Sequence, residues 1–495
     1  MKALLLPLDN RPVTYSFPRM VGQVAGLNVL MPPRSLLGSL ERPAQPTPLM
    51  EWVDANIGDG APEALLLCLD SVFYGGLINS RRCLDTPQQV LERVARLDKW
   101  KTTVGTAVPI LAQSSIMRIA DSYDASEEKS YWARYGRDIF AWSSLLHRLS
   151  RGDKLAQGIL AAAELKVPAE VREDYLGTRR RNFQVNRVLV DKAEAGVIDV
   201  LAFSLDDSGE FGLNMLEKER LLADITSRGL AGRVLCYPGA DEVLCSLLAR
   251  WLVAKAGKQP RVAIEFSPAQ TALCPSRYEG QPVGDTVRAQ LIACGMDKES
   301  KPADADFIVI VHGNERQADH IKLPEQPDLR QADTARSVRN TLEVLDAAKA
   351  PCVICDVAYA NGSDPLLVEK LLERKDLVAK LWGYAGWNTT GNSTGSALAQ
   401  ASARWFARET GVPDKIADEC LRRCLFVRFA DDWAYQSRVR GSLESALDAN
   451  SLAGIMEPHV KRIAGVLDCY PSQLRVRHPW NRTFEIEVDP DSQWL

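Results

Sequence analysis

The chain has 495 residues, of which 46% are hydrophobic and 25% are charged, and its formal net charge is −4. This length predicts two or three domains of a globular protein, and a slightly negative charge argues against nucleic acid as the partner. No apolar run is long enough to span a bilayer and the N-terminus lacks a signal-peptide pattern, so we expect no membrane association.

The eleven cysteines are scattered and odd in number, and most lie in apolar runs. This usage favours reduced thiols and predicts a cytoplasmic protein. Cys352 and Cys355 lie in a predicted buried strand, where residues three apart point to opposite faces. We therefore expect core packing there, and no metal or cofactor.

The first predicted strand, residues 2–8, is followed by Asp9, Asn10 and Arg11. A carboxylate and a guanidinium two residues apart can bind a polar ligand bidentately. The alternative is that both side chains bridge to neighbouring loops.

A further apolar strand, residues 64–70, ends in Asp70, and Tyr74 and Arg81 lie on either side of a Gly pair. These residues place an acid, a phenol and a cation near one edge of the predicted sheet. No glycine-rich phosphate-binding motif is present.

Residues 86–101 are predicted to form a helix capped by Thr86, and residues 102–111 a strand. The chain from about 117 to 177 is polar, aromatic-rich and without strand patterns. We expect it to be a helical insertion over the active face.

The densest acidic segment follows the strand predicted at residues 197–205, and it contains Asp206, Asp207 and Glu210. Ligands bind at the carboxyl ends of strands in α/β folds. Paired carboxyls can supply the protonated acid and ionised partner that glycoside cleavage needs. The alternative is that Asp207 and Ser208 only turn the chain or cap the next helix.

Later strands repeat this pattern, with Asp241, Glu242, Asp356 and Asn361 after their carboxyl ends. His312 also ends a strand, and a satisfied structural role is its favoured interpretation. Between residues 381 and 395, aromatic rings alternate with amides and hydroxyls, including Trp387, Asn388 and Asn392. Such residues suit a sugar, whose C–H face stacks on Trp.

Strands and helices alternate six or seven times up to residue 266, which predicts an α/β fold with a parallel-sheet core. A (β/α)₈-like barrel with a helical insertion and a C-terminal α/β portion is favoured, because one ring of loops would gather the acids. Two doubly wound α/β domains are the alternative. We expect a catalytic core at 1–266, a second α/β portion completing the cleft at 267–410, and a C-terminal region of helices and short strands at 411–495.

Several motifs together resemble the bacterial domain of unknown function 4127 family over nearly the whole chain. They are Pro-Leu-Asp-Asn-Arg-Pro-Val at 7–13, Tyr-Gly-Gly-Leu-Ile-Asn-Ser-Arg at 74–81, the acidic segment at 206–212, Pro-Gly-Ala-Asp-Glu at 238–242, Val-Ala-Tyr-Ala-Asn-Gly at 357–362 and Gly-Trp-Asn-Thr at 386–389. This resemblance implies no particular activity. The Asp-Asp strand end and the Trp-Asn pair also resemble β-N-acetylglucosaminidases that use the substrate's own acetamido group.

The sequence therefore predicts a cytoplasmic carbohydrate-active hydrolase for a small glycoside or amino sugar, with Asp206 and Asp207 as the catalytic pair. The expected substrate-binding residues are Asp9, Arg11, Asp70, Tyr74, Arg81, Glu210, Asp241, Glu242, Asp356, Asn361, Trp387, Asn388 and Asn392. One alternative is a divalent-metal-dependent hydrolase that uses Asp9, Asp70, Asp206, Asp207 and Asp241. Another is a sugar-binding protein without catalysis, and homo-oligomerisation is left open.

Overall fold

The computed structural model describes residues 1–58, 60, 62–321, 335–471 and 474–489. The chain forms two compact units. Unit 1 comprises Met1–Asn10, Leu30–Ala240 and Tyr278–Gly280, and unit 2 comprises Arg11–Val29, Asp241–Arg277 and the described part of Gln281–Leu495. The expected boundaries near residues 266 and 410 stay a prediction.

The first sheet has six strands in the order β2-β1-β3-β4-β5-β6. The pairs β1–β3, β3–β4, β4–β5 and β5–β6 are parallel. The strands are β1 Lys2–Leu6, β2 Asn28–Leu30, β3 Leu65–Cys68, β4 Ile110–Ile116, β5 Val200–Leu205 and β6 Val234–Pro238. Strand β2 lies on one side of β1, and β3 lies on the other side. This change of direction creates a topological switch point between β1 and β3.

The second sheet has four strands in the order β12-β10-β8-β7, and all its pairs are parallel. Two smaller pairs are parallel β9–β11 and antiparallel β13–β14. The strands are β7 Val262–Ser267, β8 Phe307–His312, β9 Ala318–Asp319, β10 Cys352–Asp356, β11 Tyr359–Ala360, β12 Leu381–Ala385, β13 Arg475–Arg477 and β14 Glu487–Asp489.

Helices connect these strands throughout the described chain. In order they are α1 Ser16–Val24, α2 Pro46–Asn56, α3 Leu69–Tyr74, α4 Leu77–Arg82, α5 Pro87–Val94, α6 Arg96–Val104, α7 Trp132–Ser150, α8 Lys154–Glu164, α9 Ala169–Glu194, α10 Leu213–Ser227, α11 Val243–Lys255, α12 Val283–Ala293, α13 Ala335–Ala347, α14 Pro365–Leu371, α15 Lys375–Val378, α16 Thr390–Thr410, α17 Asp414–Arg428 and α18 Ala449–Leu467. A π-helix, Phe429–Val439, follows α17. Among the helices described, none is both long and apolar enough to cross a membrane.

The α/β class with a parallel-sheet core is confirmed, since the main sheets are parallel and helices connect their strands. The favoured single barrel is not confirmed, because the described strands of the core form two separate sheets. Strand β5 shows why the class was predictable: Leu201–Leu205 is a wholly buried run. Such runs are typical of strands covered on both faces.

Strand β4 lies further along the chain than predicted. Residues up to Val104 belong to α6, and the strand covers Ile110–Ile116 instead of 102–111. Its second half is polar but buried, because the side chains are hydrogen-bonded: Gln113 donates to the Ala240 carbonyl at 2.8 Å, and Ser114 donates to Asn186 at 3.0 Å. A hydrophobicity pattern misses a strand of this kind.

Helix α16 begins at Thr390, inside the segment of aromatic rings, amides and hydroxyls at residues 381–395. This polar segment has the composition of a loop, but two of its hydroxyls form hydrogen bonds at the start of the helix. Thr389 caps the amide of Asn392, and the Ser393 hydroxyl donates to the Trp387 carbonyl at 3.0 Å. The helix is buried from Thr390 to Ala407 and packs against β12 in the core of unit 2.

Candidate functional site

Asp206 and Asp207 are the first residues after β5, at the carboxyl edge of the first sheet. Asp207 has a φ of 38°, in the left-handed region that few residues other than glycine adopt. The next residue, Ser208, donates its amide hydrogen to the Tyr278 carbonyl at 2.6 Å. A strained backbone at a strand end is typical of functional positions.

Two arginines hold this carboxylate pair. Arg81 Nη2 lies 2.5 Å from Asp206 Oδ2, and Arg118 Nη1 lies 2.9 Å from Asp207 Oδ2. The same Arg118 nitrogen is 3.6 Å from Asp206 Oδ2. Arg118 therefore joins the two carboxylates, and Arg81, which the sequence grouped with Asp70 and Tyr74, contacts Asp206 at this edge.

Two glutamates bind the other sides of these guanidinium groups. Arg118 lies 3.0 Å from Glu127 Oε2 and 2.8 Å from Glu128 Oε1, and Arg81 lies 3.3 Å from Glu128 Oε1. We call this group the carboxylate–arginine cluster: Arg81, Arg118, Glu127, Glu128, Asp206 and Asp207. Four carboxyls share two guanidinium groups, so negative charge is in excess and retention of a proton is favoured.

Asp207 is the group that holds this proton. Burial, followed by the negative charge of Asp206, raises the pKa of Asp207 to about 7, while the charge of Arg118 acts in the opposite direction. The Asp207 side chain is 34% exposed and that of Asp206 is 18% exposed. The carboxyl that can be protonated near neutral pH is therefore also the more accessible one.

Asp70 and Tyr74 lie behind this edge in unit 1. The Asp70 carboxylate accepts a hydrogen bond from the Ser115 amide at 3.0 Å, and burial raises its pKa to about 6. Tyr74 is buried, with the Arg181 guanidinium 5.3 Å from its ring centre, and its hydroxyl has no hydrogen-bond partner among the described residues.

The other two predicted residues of unit 1 differ in exposure. Asp9 is buried just after β1, so Asp9 and Asp70 follow the two strands that flank the switch point. Glu210 is exposed, four residues beyond Asp206.

In unit 2, the structure brings Arg11 and Asp241 together. The guanidinium donates two hydrogen bonds to the carboxylate, at 2.5 and 3.1 Å, across 230 residues of sequence. The Asp241 amide also donates to Asn392 Oδ1 at 3.3 Å. Arg11 lies 5.0 Å from the ring centre of Trp480. Three predicted residues thus form one contact group.

Trp387, Asn388 and Asn361 are also neighbours in unit 2. Asn361 donates its amide hydrogen to the Asn388 carbonyl at 2.7 Å, and the two residues have φ values of 60° and 63°. Trp387 is 3% exposed and packs edge-on against Phe484 at 5.9 Å. Its indole is packed into the protein, so stacking on a ligand would require it to become more exposed.

Glu242 and Asp356 lie in the interior of unit 2. Glu242 accepts a hydrogen bond from Gln290 at 2.6 Å. Asp356 pairs with His312 in the register of β10 and β8, and it accepts hydrogen bonds from the Asp364 amide and the Tyr384 hydroxyl at 2.8 and 2.9 Å. Burial raises the pKa of Asp356 to about 6.

His312 has the structural surroundings that the sequence favoured. Its Nδ1 lies 2.8 Å from the Thr341 hydroxyl and its Nε2 lies 3.1 Å from Asp364, and its side chain is completely buried. These two contacts satisfy both ring nitrogens.

Sequence reasoning missed Arg118, Glu127 and Glu128. Arg118 comes two residues after the true end of β4, so a correct strand boundary would have placed it at the carboxyl edge beside Asp206. The buried pair Asp431 and Asp432 in the π-helix was also missed. Both aspartates bind Arg428, at 3.4 and 3.1 Å. The π-helix that contains them is a signal of a functional position, but only the structure reveals it.

Among the residues that the structure describes, no three His, Cys, Asp or Glu side chains are grouped so that they could hold a metal ion. No curated protein matches the chain, and no solved structure matches it. The sequence pattern of one family, described as "Protein of unknown function (DUF4127)", matches residues 3–489. The match covers nearly the whole chain, so the chain belongs to the DUF4127 family.

Proposed function

We propose that the chain is a hydrolase of a small glycoside or amino sugar, with Asp207 as the general acid and Asp206 as its ionised partner. One observation carries this proposal: at the end of β5, Asp206 is held 2.5 Å from Arg81, while the adjacent Asp207 is the more exposed of the two carboxyls and has a raised pKa. Glycoside cleavage needs one protonated and one ionised carboxyl at the scissile bond.

The bond changes follow from these positions. In a substrate-assisted reaction, the acetamido oxygen of the sugar attacks the anomeric carbon as the glycosidic bond breaks, and Asp207 gives its proton to the leaving oxygen. Asp206 orients the acetamido group and stabilises its developing positive charge. Water then attacks the anomeric carbon, the bond from that carbon to the acetamido oxygen breaks, and the water gives a proton back to Asp207.

The metal-dependent alternative receives less support from the geometry. Arg81 and Arg118 contact Asp206 and Asp207, two of the five carboxylates on which it depends, and a guanidinium at that position supplies the positive charge that a cation would. We also propose that the enzyme works in the cytoplasm, which the eleven free cysteines support.

The test is hydrolysis of a panel of chromogenic glycosides and N-acetylglycosides. We expect turnover by the wild type and a loss of about 10²- to 10⁴-fold in kcat for Asp207→Asn, the range for removal of a general acid. Asp121→Asn is the matched control, since Asp121 is 63% exposed and its ion pair with Arg137 is long, at 4.0 Å.

Three outcomes would contradict the proposal. Full activity of Asp207→Asn would exclude Asp207 as the acid. Loss of activity on treatment with a chelator, restored by a divalent cation, would favour the metal-dependent alternative. Thermal stabilisation by sugars without any turnover would favour a sugar-binding protein.

A further inference from the structure

An open cavity of about 860 Å³ lies in unit 1, between the end of α4 and the start of α9. Its volume is in the range of small-molecule sites. Glu128 lines it, and the same residue binds Arg81 and Arg118 in the carboxylate–arginine cluster. The cavity therefore borders the candidate site but does not include Asp206 or Asp207 in its wall.

One part of the cavity wall is apolar. Leu84 is 89% exposed, and Val171 and the ring of Tyr131 also line the cavity. Contact with an apolar ligand would remove the Leu84 side chain from water.

The basic residues of the wall have little capacity left for a ligand. Lys129 Nζ donates to both Asp174 oxygens and to the Thr178 hydroxyl, which uses its three hydrogens. Arg82 donates to the carbonyl oxygens of Leu40, Ala125, Ser126 and Glu128, which uses four of its five hydrogens.

The acidic residues of the wall differ in this respect. Glu170 lies exposed in the first turn of α9, whereas Glu128 is buried and uses Oε1 for both of its arginine contacts. An ionised carboxylate can only accept hydrogen bonds, so Glu170 offers acceptors to a ligand, while the basic side chains of the wall offer few donors. A ligand that is complementary to it carries N–H donors and positive charge.

We propose that this cavity binds a small organic ammonium ion with an apolar body. The ammonium group donates to the carboxylate of Glu170, and the apolar body covers Leu84 and the Tyr131 ring, a position that also permits a cation–π contact. The proposal does not depend on the hydrolase activity, because no residue of the catalytic pair takes part in it.

The experiment is calorimetric titration of the full-length protein with three probes of similar size: 2-phenylethylammonium, 2-phenylethanol and phenylacetate. We expect the cation to bind at least threefold more tightly than the alcohol and the anion to bind most weakly. Glu170→Gln should weaken binding of the cation about three- to fivefold, the range for one accessible ion pair, and leave binding of the alcohol unchanged. Leu84→Ser should weaken both.

Glu173→Gln is the matched control, because Glu173 is an exposed glutamate on the same helix and does not line the cavity. Equal binding of cation and anion, an unchanged affinity in Glu170→Gln, or no binding of any probe would each overturn the proposal. Glycosidase activity is scored separately, so failure of one proposal leaves the other to be judged alone.

Discussion

The protonation of Asp207 is governed by charges of both signs. Burial and Asp206 raise its pKa, and Arg118, 2.9 Å away, opposes that rise. Arg118 is itself surrounded by carboxylates, whose charges raise its own pKa well above the usual value, so it stays cationic across the working range. The arginine therefore acts on the acid through its charge.

Replacing Arg118 tests this relation. In Arg118→Gln the charge that lowers the pKa of Asp207 is lost, so we expect the pKa to rise above about 7. A general acid works only while protonated, so activity falls as pH rises through this pKa, and the alkaline limb of the pH–kcat/KM profile should move to higher pH. Arg137→Gln, at a 62% exposed arginine, should leave the limb in place. A shift to lower pH would show that Asp207 is not the acid.

At the scale of elements, the contact between β12 and α16 is set by Gly383. A Cβ at this position would overlap the Ala397 carbonyl oxygen and lie 3.2 Å from the Val353 side chain. A strand and a buried helix can approach this closely only where the strand lacks a side chain. At Gly454, inside α18, such a Cβ would point into open space.

Alanine substitutions at the two glycines should change the free energy of unfolding in opposite directions. We expect Gly383→Ala to lower the free energy of unfolding by about 1–3 kcal/mol through overpacking. Gly454→Ala should raise it by about 0.5–1 kcal/mol, because alanine loses less backbone entropy in a helix. Urea unfolding of both variants checks this, and a stabilised Gly383→Ala would show that β12 and α16 can separate at no cost.

On the scale of the whole molecule, both units contain carboxyls whose pKa values are raised. Asp431 in unit 2 and Asp207 in unit 1 have pKa values near 7, and Asp70, Asp356 and Asp432 have values near 6. Each keeps its proton in the folded state at a pH where the unfolded chain has lost it. The stability that such groups contribute is present at low pH and is lost as pH rises through the folded pKa.

We therefore expect the free energy of unfolding to fall between pH 5 and about pH 8, where ordinary aspartates are ionised in both states. In Asp431→Asn one of these groups no longer titrates, so the fall should be smaller. Denaturant unfolding at several pH values measures the slope. Asp376→Asn is the control, since the pKa of Asp376 is lowered to about 2 and it does not titrate in this range. A stability that rises over this range would contradict the assignment of the buried acids.

Much of the fold followed from the sequence, because short-range physics decides it. The buried run of β5 and the capping box of Thr86 and Gln89 are both local patterns, and the helix after Thr86 begins where that pattern predicts. The same reasoning misplaced β4, because it takes Gln113 and Ser114 for exposed residues. Their partners, Ala240 and Asn186, are 127 and 72 residues away.

The candidate site likewise has a part that the sequence predicts and a part that depends on the tertiary structure. The sequence by itself determined that Asp206 and Asp207 follow a buried strand, because the apolar run before them is a local pattern. Alternating strands and helices then bring the strand ends to one edge of the sheet. Only the tertiary structure decided which cations hold them: Arg81 is 125 residues from Asp206, and Arg118 is 89 residues from Asp207. No local pattern encodes such pairs, because they form only when the order of the strands in the sheet brings distant segments together.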